Sequence, residues 1–432
     1  MSTLSQRLLI RDRAAGKTPL VAALDIGSSK IGCLISRRAD MSDGVIKIAG
    51  AGDQSSRGVV SGAVVDMDGL ERSIRLAVEQ AESAAGVRVS DVVVGVSGPD
   101  LKGEATSFDL SVSGREISET HVREALAGAV QKFKASGREV LHAAPMGYAV
   151  DGSAGVRDPR GMFADVLTAS VLIVSVPGPA LKNIAQCVTR AHLTPAAFVA
   201  SPYASALAAL VEDEREQGAV VVDMGGGVTS ATAFHQDGAV YLSALPIGGA
   251  RVSNDLSQGV GTTLSAAERL KTLHGAATLT EVDAFDMVDA PRLGDDGRLE
   301  ASRLSKGQLA GMIRPRVEEI FELVDARLSK ASATGRPLPR RIVLTGGGSL
   351  LPGVKDVAED VFRAPVRLAR PAKTIGLGER YETAAFTAAA GLLRWEMAGP
   401  PDANGAGFAR HAKSLETAGL LRKTFAWLRD NV

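Results

Sequence analysis

Apolar residues gather into short runs that close on glycine turns, and three such runs organise the chain. Residues 21–25 form an apolar run ending at Asp25. After Gly27-Ser28-Ser29-Lys30 the apolar texture resumes over residues 31–35, which predicts strand, tight turn, strand. Residues 219–223 repeat the plan: the run ends at Asp223, Gly225-Gly226-Gly227 follow, and the stretch from Val228 through Thr229 to Phe234 reads as the next strand. One plan used twice predicts an internal duplication. The third run, residues 341–345, leads through Gly346-Gly347-Gly348 to a helical pattern over residues 355–362.

Between the first two turns the pattern changes. Strand-like runs at residues 92–98 and 108–112 precede a helical stretch at 119–134, and further strands start near Val140 and Val166. This alternation predicts an α+β unit. Past residue 398 a stretch rich in Gly, Pro, Ala and Asn reads as a flexible linker. The pattern then turns amphipathic. At ~100° per residue, Leu421, Phe425, Leu428 and Val432 share one face, with Leu420 and Trp427 on its shoulder. Arg422, Lys423, Arg429 and Asp430 lie opposite, and Thr424 and Asn431 interrupt the apolar arc. Such a helix serves either as an interfacial membrane anchor or as a cover for the protein's own core; the linker before it suits the anchor.

Length and composition narrow the class. At ~150 residues per domain, 432 residues imply two or three compact units and a cleft between them. Apolar residues at 45% and charged residues at 23% describe a globular chain. Lys+Arg and Asp+Glu balance at 49 each, so no global field gathers nucleic acid. Two cysteines and six scattered histidines supply neither a disulfide framework nor a zinc site. The first residues carry Arg7, Arg11, Arg13 and Lys17 without a sustained apolar run, which predicts a flexible leader and no signal peptide. Gly16-Lys17-Thr18 imitates the end of a P-loop, but Arg11 stands where its first glycine belongs.

The turns carry the chemistry. Phosphate reaches backbone N–H groups where side chains are absent and positive φ is accessible, and glycine supplies both. Asp25 and Asp223 can hold Mg²⁺ directly or through its waters. Lys30 offers a mobile charge to a β- or γ-phosphate, and the Ser28 and Ser29 hydroxyls can donate to phosphate oxygens. Any one turn alone reads equally as an ordinary hairpin. The set of three, in this order, points to a nucleotide clamp.

On LDIGSSKI, VVDMGGGVT and LTGGGSLLPG the chain resembles the superfamily of actin, heat-shock chaperones and sugar kinases, over nearly its whole length. The first two correspond to its phosphate segments and the third to its adenosine segment. Ser201-Pro202-Tyr203-Ala204-Ser205-Ala206 resembles the first connecting helix of that fold, and residues 385–393 the second. Ala267-Glu268-Arg269-Leu270-Lys271 resembles the helix whose Glu268 and Lys271 approach ribose and adenine; by itself it reads equally as a solvated face with an i,i+3 ion pair. Leu245-Pro246-Ile247-Gly248-Gly249, Asn254-Asp255-Leu256 and Gly261-Thr262, together with the inserted α+β unit, resemble the FtsA family of bacterial division proteins most closely.

That resemblance implies an α/β, two-lobed actin-like fold, a duplicated ribonuclease-H-like architecture with an inserted α+β subdomain and a C-terminal amphipathic helix. The expected parts are a leader (1–19) and a lobe I core (20–88, 166–208 and 372–397) carrying the insert (89–165). Lobe II then has a core (209–245 and 311–371) and an outer subdomain (246–310), followed by a linker (398–412) and a membrane-targeting helix (413–432). It implies ATP and Mg²⁺ as cofactors and at most weak hydrolysis, since no residue that would orient the attacking water is placed. It implies filaments of the protein itself on the cytoplasmic face of the inner membrane at the division site. Leu420, Leu421, Phe425, Trp427 and Leu428 would enter an anionic surface there. The implied partners are the FtsZ C-terminal tail and later division proteins. Lys306, Arg314 and Arg316 would meet the acidic tail, or serve simply as surface charges on an amphipathic helix. Six apolar side chains at ~1–2 kcal/mol each, against ordering ~12 residues at ~1 kcal/mol each, make one anchor weak and reversible. Polymerisation would then supply the avidity. The other readings are a soluble small-molecule kinase or phosphotransferase with the same turns, and a pilus-assembly actin homologue without the tethered helix.

Overall fold

The computed structural model describes residues 20–398 apart from residues 43, 134–136, 335–336 and 377. The leader, most of the linker and the amphipathic helix, with Leu420, Leu421, Phe425, Trp427 and Leu428, lie outside the described residues.

The chain opens with three antiparallel strands, β1 (Leu20–Ile26), β2 (Lys30–Ser42) and β3 (Val45–Ser55). Five of the seven residues of β1 are buried, because both faces of this central strand are covered and an apolar run suits it better than alternation. Helix α1 (Met67–Ala85) follows. Its first turn is capped by the Asp66 carboxylate, which accepts from the Asp68 and Gly69 N–H groups, and it ends at Gly86 in the left-handed conformation. Its stripe of Leu70, Ile74, Ala77 and Ala81 is buried in the first core.

Strand β4 (Asp91–Val96) then pairs in parallel with β1, so it is an inner strand of the first sheet. The expected insert, residues 89–165, includes this strand, whereas its pairing puts it in the first sheet. Its unbroken apolar run suits a strand buried on both faces, as an inner parallel position demands, and an isolated run carries no sign of which sheet will bury it. The insert proper runs through β5 (Lys102–Glu116), α2 (Glu119–Lys132), β6 (Arg138–Val150), β7 (Ser153–Val156) and β8 (Phe163–Pro177), around a small core of its own. Strand β8 is shared: Leu167, Ala169, Val171 and Ile173 face the insert's core, while Leu172, Val174 and Val176 enter that of the first lobe. After α3 (Gly178–Arg190), strand β9 (Thr194–Ala200) pairs with β4. The first connecting helix, α4 (Ser201–Ala209), is buried throughout.

Past α5 (Glu212–Gln217), the second lobe repeats the first. Strands β10 (Ala219–Met224), β11 (Thr229–His235) and β12 (Gly238–Leu245) are antiparallel, and β13 (Ile342–Thr345) and β14 (Val366–Leu368) add in parallel on the β10 side. Three antiparallel strands with two parallel ones beside the first is the order of both sheets, which bears out the expected duplication. Helices α6 (Gly249–Val260), α7 (Leu264–His274), α8 (Lys306–Thr334) and α9 (Val354–Phe362) build the second core. A short strand, β15 (Thr374–Ile375), joins β3, and α10 (Thr387–Ala398) packs on α4.

One connection was not expected. Strand β5 of the insert pairs with β12 of the second lobe at Ser243 and Lys102, so the insert and the second lobe share one nine-stranded sheet. Among the described residues no helix is long and apolar enough to cross a membrane.

Candidate functional site

The three glycine turns converge on one cavity of about 350 Å³ between the lobes. Asp25, Gly27, Ser28, Ser29 and Lys30 line it from the first lobe. Asp223, Gly225, Gly226 and Gly227 face them from the second, and Glu268, Lys271, Gly346, Gly347 and Gly348 close the remaining side. The volume falls within the range of ~300–1000 Å³ common for small-molecule sites.

Each turn is held by its own backbone. Gly27 N donates to Lys30 O at 3.0 Å, and Gly225 N to Val228 O at 2.9 Å. The second turn is also pinned by the start of α6, where Gly249 N donates to Gly225 O at 2.9 Å and Ala250 N to Gly226 O at 2.8 Å. Gly346 has φ of +85°, and a Cβ there would come within 2.2 Å of Asp223 Oδ1. The third turn therefore reaches the second carboxylate only because it begins with glycine.

The two carboxylates have matching supports that sequence reading missed. Ser201 donates to Asp25 Oδ1 at 2.9 Å, and Ser205 donates to Asp223 Oδ2 at 2.5 Å. Both serines lie on α4, one turn apart, so the first connecting helix presents one hydroxyl to each lobe's acid. The i,i+4 spacing was visible; its target was not.

Both carboxylates line the cavity and are half-buried. Burial pushes the Asp223 carboxyl up to about 6; the Ser205 hydroxyl opposes this and the nearby Asp25 adds to it. Burial also raises Asp25, against the pull of Lys30 and Ser201. Burial brings the Lys30 ammonium down to about 8, opposed by Asp25, Asp53 and Asp223. The ammonium donates to the Ala385 carbonyl at 2.5 Å and lies 3.1 Å from the centroid of the Phe386 ring. On the far wall Lys271 donates to Gly249 O at 3.0 Å and Ser253 Oγ at 2.8 Å, and pairs with Glu268 at 2.7 Å; Ser253 also donates to Glu268.

Thr229 is not brought into the cavity. Strand alternation turns Ser230 toward it and leaves the Thr229 hydroxyl buried, without a hydrogen-bond partner among the described residues. The expected nucleotide contact at Thr229 is therefore replaced by Ser230, its neighbour on β11. Lys306, Arg314 and Arg316 all lie on α8, away from the cavity, and each is already paired: Lys306 with Asp286 at 2.8 Å, Arg314 with Glu318 at 2.7 Å and Arg316 with Asp255 at 2.5 Å. Any acidic segment docking there competes with carboxylates in place.

The donor set suits a nucleotide diphosphate or triphosphate with a hard cation. Backbone N–H groups and Lys30 would serve the anion, and the two carboxylates would serve the metal. Among the described residues no cluster of three metal-ligating side chains occurs, so a cation here would depend on waters and phosphate oxygens beside Asp25 and Asp223.

The chain is similar to known proteins over nearly its whole length. The family described as "Cell division protein FtsA" matches residues 220–391, and "SHS2 domain inserted in FTSA" matches residues 98–175. The second match leaves β4 outside the insert, as the sheet does. The chain is 36% identical over 430 residues to the cell division protein FtsA of Agrobacterium fabrum, covering 98% of this chain and 97% of that one. It is 29% identical over 416 residues to its namesake in Escherichia coli, covering 95% and 97%. Among solved structures, a PilM-PilN type IV pilus biogenesis complex aligns with a TM-score of 0.60 at 16% identity, covering 86% of this chain and 97% of that one. MreB5 of Spiroplasma citri bound to ADP aligns with a TM-score of 0.52 at 13% identity, covering 90% and 99%. At such identities the structural likeness speaks for the fold, which is actin-like with an SHS2 insertion.

Proposed function

Because the chain belongs to the FtsA family of cell division proteins, we propose that it is an ATP-binding division protein that polymerises on the cytoplasmic face of the inner membrane and anchors FtsZ filaments there. The observation that carries the reading is the convergence of three glycine turns, one from each lobe and one from the adenosine side, on a cavity holding two half-buried carboxylates and one half-buried lysine. Neither lobe alone forms the site, so a ligand held by both joins them.

ATP with Mg²⁺ would supply a compact, highly charged group able to bridge the two lobes. Asp25 and Asp223 would hold the cation, each oriented by its α4 serine. The Gly226-Gly227 backbone would receive phosphate oxygens, with Ser28, Ser29 and Lys30 adding donors, while the Gly27 and Gly225 N–H groups stay engaged in closing their own turns. Glu268 and Lys271, beside Gly346-Gly347-Gly348, would accept the nucleoside. A bound nucleotide then favours one lobe angle, and the lobe angle governs the surfaces a neighbouring copy meets.

The sequence beyond residue 398 supports the membrane half of the reading, since its amphipathic pattern presents Leu420, Leu421, Phe425, Trp427 and Leu428 on one side. One weak anchor per copy makes attachment depend on assembly. A liposome pelleting assay tests this, run with ATP, with and without an FtsZ tail peptide, on the full chain and on a chain lacking residues 415–432. The full chain should pellet with ATP and carry the peptide down, and the truncated chain should stay in the supernatant. Equal pelleting of both chains, or of a variant unable to polymerise, would refute the coupling.

A further inference from the structure

The resting place of Lys30 points to a residue that tunes the site. Its ammonium donates to the Ala385 carbonyl and lies on the face of Phe386. Phe386 is buried, and the edge of Tyr381 packs on it with ring centroids 5.0 Å apart and planes at 71°. Tyr381 is fixed in turn: its hydroxyl accepts from Gln80 Nε2 at 3.3 Å, and the Arg380 guanidinium lies 5.8 Å from its ring. Arg380 bonds Asp53 Oδ2 at 2.9 Å. A continuous stack thus runs from the outer surface to the ammonium in the cavity. Asp53 sits across the β2–β3 register from Gly32, and its other carboxylate oxygen is buried without a hydrogen-bond partner among the described residues.

The ring face, the Ala385 carbonyl and the Asp25, Asp53 and Asp223 carboxylates together compensate a buried cation before any phosphate arrives, while Arg380 opposes it. That compensation must be given up in part when the ammonium turns to a phosphate oxygen. We propose that Phe386 and the Ala385 carbonyl form a resting berth for Lys30 in the nucleotide-free protein. The β- or γ-phosphate draws the ammonium out of it, so that Phe386 sets how far ADP and ATP are preferred over AMP. The inference rests on the ATP-binding reading above and adds a specificity-determining residue to it.

The direction of the effect is unusual, which makes it testable. Weakening the berth should tighten binding, because the ligand no longer competes with a favourable resting contact. Calorimetric titration of the full chain with ATP, ADP and AMP in the presence of Mg²⁺ compares wild type, Phe386→Leu and Lys30→Ala. Phe386→Leu should tighten ADP and ATP by roughly two- to tenfold, the range of one cation–π contact, and leave AMP unchanged. Lys30→Ala should weaken ADP and ATP only. If Lys30→Ala weakens both while Phe386→Leu leaves them unchanged or weaker, the berth is wrong and ATP binding stands. If the wild type binds no nucleotide, the ATP reading fails and the berth with it. A second measurement avoids reliance on a core variant. In protein labelled with ¹³C at lysine Cε, the Lys30 resonance, assigned by its loss in Lys30→Ala, should be shifted upfield by the Phe386 ring and return toward the other lysines on adding ADP. An unshifted resonance, or one that ADP leaves in place, would overturn the proposal.

Discussion

Gly226 of the second lobe lies against Ser29 of the first so closely that a Cβ on Gly226 would fall within 1.6 Å of the Ser29 hydroxyl. The two phosphate turns touch, and the absence of a side chain at one position lets the lobes meet. Gly226→Ala should therefore wedge the turns apart or displace Ser29. Since each turn is braced within its own lobe, the fold should survive while ADP and ATP affinity falls at least tenfold. A variant with a normal melting curve and unchanged nucleotide affinity would show that this contact does not shape the site.

Asp223 is a cost to the empty protein. Its carboxyl titrates near 6 in the fold against 3.8 as the ordinary value, so between these pH values the folded state binds more protons than the unfolded one. Its contribution to stability is present at low pH and is lost as pH rises through about 6. Asp223→Asn should consequently melt higher than the wild type at pH 7.5, by about 1–2 kcal/mol, with the gap narrowing as pH is lowered through 6. Thermal melts of the nucleotide-free proteins across this range check the sign; a variant less stable at pH 7.5 would contradict it.

Metal-dependent binding should follow the same group in the opposite sense. A protonated Asp223 is a poor Mg²⁺ ligand, so the gain in ADP affinity on adding Mg²⁺ should shrink as pH falls below about 6. Titrations with and without Mg²⁺ at pH 5 and 7.5 measure it, and a pH-independent gain would argue for a metal held elsewhere.

The two connecting helices cross at Gly391, where a Cβ would lie 1.8 Å from the Ala204 carbonyl oxygen. Gly391→Ala must separate α4 from α10, and overpacking of this kind costs about 1–3 kcal/mol. Because α4 also carries Ser201 and Ser205, the change should lower both the denaturation midpoint and Mg²⁺-dependent ADP affinity. An unchanged midpoint in urea would mean that the crossing is looser than it looks.

Lys271 joins the Gly249 carbonyl, Ser253 and Glu268, and so ties α6 to α7 on the nucleoside side. Lys271→Met keeps the length of the side chain and removes these donors. Affinity for adenosine, AMP, ADP and ATP should drop together, by about tenfold, since the loss is uniform along the series. A loss confined to ADP and ATP would place Lys271 at the phosphates.

The three turns, the duplication and the helical stretches at residues 119–134 and 355–362 were legible in the sequence because they follow from local rules. Glycine marks the places where backbone must approach backbone, apolar runs mark inner strands, and 3.6-residue periodicity marks helices. Asp25, Lys30 and Asp223 could be singled out for the same reason, since each sits at a fixed offset from a turn. Local rules do not say what a strand will pair with. Asp91–Val96 reads as one more apolar run, and only the parallel pairing with β1 puts it in the first sheet. Nor do they fix the facing of a residue next to a turn, which is why Thr229 was chosen where Ser230 faces the cavity.

The sequence by itself determined that this chain has two similar halves, each closing an acidic strand on a glycine turn, because such turns are written in adjacent residues. Tertiary structure alone decided that Ser201 and Ser205 each serve one lobe's carboxylate, that β5 of the insert pairs with β12, and that Lys30 rests on Phe386. These are meetings of residues far apart in the chain. The free energy that selects them comes from burial and desolvation, which depend on what surrounds a group in space and leave no local mark along the chain.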